Sequence, residues 1–257
     1  MIRFSANLGF LWKELSLPKA IEAAKRAGFD AVECHWPYDQ DVEDVKAALA
    51  VNHLPMLGLN TRRGDISKGE NGLAALSGRE IEARVLIDEA ISYAAAIGCP
   101  NIHVMAGFSD QGDLAEACFR RNLTYATKRA AEHHQTILIE PLNHYDAPGY
   151  HLTTIDGAIK TIDSVGADNL KIMFDVYHIQ IMQGDLIRRL LSTLPYIGHI
   201  QIASVPDRAE PDIGELAYPE ILRAIDGMNW AGYIGAEYKP KDSTDAGLSW
   251  LKRFKAL

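Results

Sequence analysis

The stretch that decides the fold runs from Thr136 to Tyr150 and reads TILIEPLNHYDAPGY. It opens with a β-branched and aliphatic run, Thr136–Ile139, that shows no alternation of polar and apolar residues. A strand covered on both faces has this pattern, which is typical of parallel sheets in α/β proteins. The run stops at Glu140, and Pro141 removes the N–H that a continued strand would need. We predict a buried strand that ends on a carboxylate; the alternative is a glutamate that simply faces water.

Three later apolar runs end in the same way. Residues 170–174, 197–200 and 233–236 have the composition of strands, and they run into Asp175, Gln201 and Glu237. Parallel α/β folds place their active sites at the carboxyl ends of their strands. The repetition therefore predicts a functional site built from oxygen atoms at one edge of the sheet.

Strand and helix patterns alternate along the whole chain. The predicted strands are 2–8, 30–36, 54–60, 101–107, 136–139, 170–174, 197–200 and 233–236, and the predicted helices are 18–27, 41–52, 79–97, 114–134, 155–165, 186–194, 218–228 and 246–254. Regular alternation implies parallel strands with right-handed crossovers, and eight units favour a closed (β/α)8 barrel that spans residues 1–257 as a single domain. An open doubly wound sheet is the alternative, but no GxGxxG follows the first strand.

Composition restricts the class of protein. The chain has 257 residues, of which 47% are hydrophobic, so it can bury a substantial core. Its net charge of −8, without a run of lysine or arginine, argues against nucleic acids and anionic membranes as partners. The three cysteines form no CxxC pair, and the N-terminus lacks the pattern of a signal peptide. We therefore expect a soluble cytoplasmic protein.

One segment is too long and too rich in glycine for a simple connector. Residues 61–78 read TRRGDISKGENGLAALSG and lie between the third predicted strand and the third predicted helix. Long loops of this kind in compact domains are usually functional. We predict a loop or lid over the strand ends; a disordered surface insertion is the alternative.

The four strand-end residues have the chemistry of a metal site. Together they supply three carboxylates and one amide oxygen, from Glu140, Asp175, Gln201 and Glu237. Crowded carboxylates raise each other's pKa unless a cation holds them together. An all-oxygen set indicates a hard divalent ion, Mg²⁺ or Mn²⁺, rather than zinc.

Five motifs carry a resemblance to a known family: HVMAG at 103–107, EPLN at 140–143, FDVYH at 174–178, HIQIASVPDRAEPDIGELAY at 199–218 and GAEYKP at 235–240. With them the chain resembles, from end to end, the hydroxypyruvate isomerase family of the xylose isomerase-like TIM barrels. The resemblance implies that Glu140 and Glu237 are the catalytic acid/base pair, and that Asp175 and Gln201 complete the metal ligands. Ketose 3-epimerases of the same superfamily commonly have histidine where Gln201 stands, and an amide oxygen there favours magnesium.

The resemblance also implies contacts to the substrate from His178 and Arg208. Arg208 offers a planar fork to a carboxylate, and His178 offers a donor that could be charged near neutrality. We add His103, at the end of the fourth strand, and Lys239, which two-residue periodicity would place on the face of Glu237. The alternatives are structural histidines and solvated cations.

The activity that the resemblance implies is the interconversion of hydroxypyruvate and tartronate semialdehyde, by proton transfer through a metal-stabilised enediolate. Alternatives from the same superfamily are a 2-oxo-tetronate isomerase and a ketose 3-epimerase. An endonuclease IV-like nuclease would need many histidines around zinc and a basic face, which the acidic balance disfavours. A non-catalytic sugar-acid binding protein would bind without turnover. The expected partner is a small hydroxy or oxo acid, and the outer faces of the helices leave room for a homo-oligomer.

Overall fold

The fold is a closed barrel of parallel strands surrounded by helices, seen in a computed structural model that describes residues 2–110 and 112–257. The strands are β1 (Phe4–Asn7), β2 (Ala31–Glu33), β3 (Gly58–Asn60), β4 (Asn101–His103), β5 (Thr136–Ile139), β6 (Leu170–Asp175), β7 (Ile197–Ile202) and β8 (Ile234–Ala236). The helices are α1 (Leu17–Ala27), α2 (Val42–Asn52), α3 (Glu80–Ile97), α4 (Asp113–Ala131), α5 (Ile155–Val165), α6 (Val176–Met182), α7 (Leu186–Thr193), α8 (Tyr218–Gly227) and α9 (Ser249–Lys255). The predicted (β/α)8 barrel is confirmed.

The barrel closes between β2 and β3. The paired strands follow the order β2-β1-β8-β7-β6-β5-β4-β3, and a parallel bridge from Val32 to Met56 joins the two ends of that series. The Val32 N–H donates to Pro55 O at 3.0 Å, and the Leu57 N–H donates to Val32 O at 2.8 Å. Closure removes the exposed edges that an open sheet would present.

Capping residues set the limits of several helices. Asp41 accepts hydrogen bonds from the N–H groups of Glu43 and Asp44 at the start of α2, and Thr154 does the same for Gly157 at the start of α5. Gly28, at the end of α1, adopts the left-handed conformation with φ of 89°, which glycine tolerates without a Cβ clash. These local signals explain why most predicted helix limits agree with the structure to within two residues.

One helix was not predicted. The sequence predicts a single helix between the sixth and seventh strands, but α6 precedes α7. Asp175 starts α6 by accepting a hydrogen bond from the Tyr177 N–H at 2.9 Å. The seven residues of α6 are too few to show a helical periodicity in sequence. Strand limits also differ, because β2, β3 and β4 are each three residues long and shorter than predicted.

The long segment 61–78 packs against the strand ends and is not a disordered insertion. Its Ala75 N–H donates to Ala106 O at 2.8 Å, and Gly72 bridges to the same residue. Leu73 and Ala74 are buried. Among the described residues no helix combines the length and the apolar character needed to cross a membrane.

Polar side chains fill part of the barrel interior. Glu33 on β2 accepts hydrogen bonds from Ser5 on β1 and from His199 and Gln201 on β7, and all four residues are buried. Gly235 on β8 leaves the space that this cluster needs, because a Cβ at Gly235 would lie 2.3 Å from Glu33 Oε1 and 2.9 Å from Gln201 Cγ. The absence of a side chain at Gly235 is therefore a packing requirement.

We expect Gly235→Ala to lower the free energy of unfolding by about 1–3 kcal/mol, because the added methyl overpacks the cluster. Chemical denaturation measures this. The matched control is Gly227→Ala in α8, where an added Cβ meets nothing within 4 Å and helix propensity favours alanine. Equal stability of Gly235→Ala and the wild type would contradict the packing described here.

Candidate active site

The strands deliver the predicted oxygen ligands to one end of the barrel. Glu140 directly follows β5, Asp175 is the last residue of β6, and Glu237 directly follows β8. Gln201 is the next-to-last residue of β7, since that strand continues to Ile202 and does not end before Gln201 as expected. All four side chains are buried.

Two of the carboxylates and a histidine form a group that could hold a metal ion. Donor atoms of Glu140, Asp175 and His178 lie within 4.8 Å of one another. Within the described part of the chain, Glu140 Oε1 and Gln201 Oε1 are buried and have no hydrogen-bond partner. Buried oxygens are normally satisfied, and a divalent cation satisfies such oxygens and offsets their charge. The residues present therefore fit a metal.

Arg208 brings positive charge to the carboxylates. Its Nη2 lies 2.5 Å from Glu237 Oε2 and 3.4 Å from Asp175 Oδ2, and its Nη1 lies 3.3 Å from Asp146 Oδ2. The backbone around Arg208 is fixed on both sides, because its N–H donates to Ser204 O and its carbonyl accepts from the Lys239 N–H. The guanidinium also lies 4.9 Å from the centres of two aromatic rings, those of Phe10 and Tyr177.

Glu237 is held as an anion by three donors. Its Oε1 accepts from Asn7 Nδ2 and from His35 Nε2, each at 2.9 Å, and its Oε2 accepts from Arg208. Burial opposes the charge, but Arg208 and His35 outweigh it and lower the pKa of Glu237 to about 2. The carboxylate is ionised at neutral pH.

Glu140 has the opposite electrostatic environment. Burial raises the pKa of Glu140 well above its ordinary value, and the charges of Glu237 and Asp175 raise it further. Burial also raises the pKa of Asp175, to about 7, although Arg208 opposes that shift. The surroundings therefore favour the anion at Glu237 and the protonated form at Glu140.

The tautomer of His178 follows from its neighbour Asn143. The backbone N–H of Asn143 donates to Nδ1 of His178 at 3.0 Å, so Nδ1 is an acceptor and the proton sits on Nε2. That Nε2 lies 3.6 Å from Asp175 Oδ2 and 3.9 Å from Glu140 Oε1. Burial, together with Arg208, holds the pKa of His178 well below its ordinary value. The prediction that His178 could carry a positive charge near neutrality is therefore wrong. In this tautomer the N–H at Nε2 can donate a hydrogen bond to an oxygen in the site.

The other two predicted substrate contacts differ in their placement. His103 is buried with Nδ1 3.5 Å from Glu140 Oε2, and burial lowers its pKa to about 4. Lys239 is exposed and does not line the cavity described below. The prediction that Lys239 lies on the same face as Glu237 is wrong. Because β8 ends at Ala236, the alternation of side chains in a strand does not extend to Lys239.

A small cavity opens over these residues. Its volume is about 150 Å³. The lining includes most of the site residues together with aromatic, amide and aliphatic side chains: Phe10, His35, Trp36, Asn60, Asn71, His103, Met105, Glu140, Leu142, Asp146, Ala147, His178, Arg208 and Glu237. Asn71 comes from segment 61–78, so that segment contributes to the cavity as predicted.

Three residues of the site were missed in the sequence. Asn7 ends β1, Glu33 ends β2, and His35 follows two residues later. All three are polar residues at or just after the carboxyl end of a strand. The same pattern in the later strands predicted Glu140, Asp175, Gln201 and Glu237. Each contacts a predicted site residue, Glu237 or Gln201.

Comparison with known proteins fits this geometry. Residues 21–254 match the family model described as xylose isomerase-like TIM barrel. The chain belongs to that family. Its relatives include a 2-oxo-tetronate isomerase from Cupriavidus necator, 44% identical with 99% of each chain covered, and a hydroxypyruvate isomerase from Escherichia coli, 41% identical with 99% of this chain and 100% of the relative covered.

Among solved structures, the chain is similar to one described as AP endonuclease, family 2, from Brucella melitensis. The two are 38% identical with a TM-score of 0.95, and the match covers 98% of this chain and 99% of the other. The likeness extends across the whole barrel, so the strand ends that carry the site lie within the shared fold.

Proposed function

We propose that the protein is an isomerase of a small 2-oxo acid that interconverts hydroxypyruvate and 2-hydroxy-3-oxopropanoate. The observation that carries the proposal is the pair of buried glutamates, Glu140 and Glu237, at one small cavity with Arg208 beside them. The full-length relatives named as hydroxypyruvate and 2-oxo-tetronate isomerases support this substrate class. An isomerisation between neighbouring carbons needs proton removal and proton return, and carboxylates can supply both.

The proposed ligands of a divalent cation, Mg²⁺ or Mn²⁺, are Glu140, Asp175, Gln201 and Glu237. When bound, the cation would stabilise the negative charge that develops on the substrate oxygens. An all-oxygen donor set favours these hard ions over zinc.

The two glutamates are the proposed proton-transfer residues. They follow β5 and β8, which are separated by β6 and β7 in the barrel, so the carboxylates reach the cavity from different sides. One carboxylate takes the proton from C3 of the substrate and a carboxylate returns one to C2, while the proton of the C3 hydroxyl passes to the C2 oxygen. Burial of both groups excludes the water that would otherwise compete for these protons.

Arg208 is the proposed reader of the substrate carboxylate. Its guanidinium lines the cavity, and its planar fork can bind a carboxylate in a bidentate manner. The neutral N–H of His178 adds a donor for a substrate oxygen. A cavity of about 150 Å³ is smaller than typical sites for drug-sized ligands, which fits an acid of three or four carbons.

A 2-oxo-tetronate isomerase is the second candidate, because the Cupriavidus necator relative with that name is 44% identical over its full length. The two activities differ by one carbon in the substrate and use the same groups. A nuclease is disfavoured by the net charge of −8 and by the oxygen-rich donor set.

The proposal is tested by a substrate panel of hydroxypyruvate, 2-oxo-tetronates and neutral ketoses. We expect turnover of an oxo acid that disappears with EDTA and returns with Mg²⁺ or Mn²⁺. Preferred turnover of a neutral ketose would indicate an epimerase instead, and binding of an acid without any turnover would indicate a binding protein.

Glutamine at either proton-transfer position should separate binding from chemistry. Glu140→Gln and Glu237→Gln keep the shape and one oxygen but cannot accept a proton, so each should lower kcat by at least about 10²-fold. Metal content is measured in each variant, because loss of the metal would mimic loss of the base. A variant with normal metal content and near-normal kcat would remove that glutamate from proton transfer.

Arg208→Ala should raise KM for the oxo acid far more than for an uncharged ketose. Loss of a charged contact costs roughly 1.5–3 kcal/mol. The matched control is Arg129→Ala, because Arg129 pairs with Asp88 and Glu132, and none of the three lines the cavity. An unchanged KM for the acid in Arg208→Ala would exclude Arg208 from substrate recognition.

A further inference from the structure

The buried carboxylate of Glu33 accepts a hydrogen bond from the side-chain amide of Gln201. Glu33 is 3% exposed and accepts hydrogen bonds from Ser5 Oγ at 2.6 Å, His199 Nε2 at 3.1 Å and Gln201 Nε2 at 2.7 Å. These contacts use the Glu33 carboxylate as an acceptor, and the nitrogen end of the Gln201 amide faces it.

The other end of that amide is left for a different partner. Gln201 Oε1 is buried, and it has no hydrogen-bond partner among residues 2–110 and 112–257. Gln201 lies beside Asp175 in the sheet, where the two residues pair between β6 and β7. If the amide were flipped, its nitrogen would face away from Glu33, and a nitrogen that carries two hydrogens cannot ligate a cation.

The backbone around Glu33 is built to keep this contact. The side chain of Glu33 passes the position where Gly235 lacks a Cβ, and Gly235 pairs with both Ser5 and Gln201 in the sheet. Three strands thus contribute a hydroxyl, an imidazole and a gap around one carboxylate. The ion pair between Glu33 and His199 does not by itself require the hydrogen bond that Glu33 accepts from Gln201.

We propose that Glu33 is a positioning residue: by accepting from Gln201 Nε2, it presents Gln201 Oε1 to the divalent cation of the proposed active site. The inference rests on the metal site of the proposed function and adds a residue that does not itself touch substrate or metal. Groups that orient metal ligands typically change metal affinity by 10–100-fold when they are altered.

The test measures the affinity of metal-stripped protein for Mn²⁺, by electron paramagnetic resonance of the free ion, with no substrate present. Glu33→Gln keeps the size of the side chain but offers a donor, so the Gln201 amide can turn its oxygen toward residue 33. We expect Mn²⁺ binding to weaken by about 10–100-fold while the melting curve remains cooperative.

A double-mutant cycle separates orientation from simple charge. In a Gln201→Ala background no amide remains to be oriented, so Glu33→Gln should cause no further loss of Mn²⁺ affinity. An equal loss in both backgrounds would mean that Glu33 acts only through its negative charge, and would overturn the proposal. Ser5→Ala is the matched control, because it removes another partner of Glu33 and leaves the contact to Gln201 in place.

Rescue provides a result that a merely structural role would not give. In the double variant Glu33→Gln with Gln201→Glu, the amide of residue 33 donates to the carboxylate of residue 201, which has an oxygen at either end. The total charge is unchanged, and we expect Mn²⁺ affinity to recover toward the wild-type value. Failure to recover, in a double variant that folds with a wild-type melting curve, would contradict the proposal.

The outcomes also distinguish this inference from the proposed function. If wild-type protein binds Mn²⁺ and Gln201→Ala weakens it, the metal site stands, and an unaffected Glu33→Gln then refutes only the role of Glu33. If Gln201→Ala binds Mn²⁺ like the wild type, Gln201 is not a ligand and the role of Glu33 is refuted with it. If wild-type protein binds no Mn²⁺, the role of Glu33 is refuted, whereas turnover of an oxo acid in the substrate panel still tests the proposed activity by itself.

Discussion

The site depends on the proximity of like charges in a buried place. Parallel strands that end at one face bring Glu140, Asp175 and Glu237 together, and burial removes the water that would screen them. The chain compensates with Arg208 and with hydrogen-bond donors from Asn7 and His35. The remaining imbalance, and the oxygen atoms without partners, explain why a cation fits there.

The groups that stabilise negative charge are distributed unevenly between Glu237 and Glu140, so the two glutamates differ in pKa. Glu237 receives three donors and stays ionised, whereas Glu140 Oε1 has none among the described residues and its carboxyl group favours the neutral form. When the surroundings give two carboxyl groups at one site different pKa values, one can act as the acid and the other as the base. The barrel produces this difference by placing the arginine nearer to one strand end than to the other.

Sequence reasoning predicted the barrel because the alternation of strands and helices repeats eight times, and it predicted Glu140, Asp175 and Glu237 because each ends a strong apolar run. It missed Glu33 because the predicted strand 30–36 extends three residues beyond the observed end of β2, so Glu33 was placed inside the strand and not at its carboxyl end. The misplacement of Lys239 has a related cause, since two-residue periodicity holds only inside a strand. Orientation and pairing of side chains across the interior, such as Gln201 on Glu33, depend on register and cannot be read from one segment alone.

The start of α6 links folding to chemistry through the two oxygens of one residue. Asp175 Oδ1 accepts the Tyr177 N–H and begins the helix, while Oδ2 lies 3.4 Å from Arg208 and 3.6 Å from His178. A longer glutamate would lose the short reach of the cap, and serine would keep a cap but lose the second oxygen. Asparagine would also cap the helix but would replace the second acceptor oxygen by an amide nitrogen, so aspartate alone of these four side chains serves both the helix and the site.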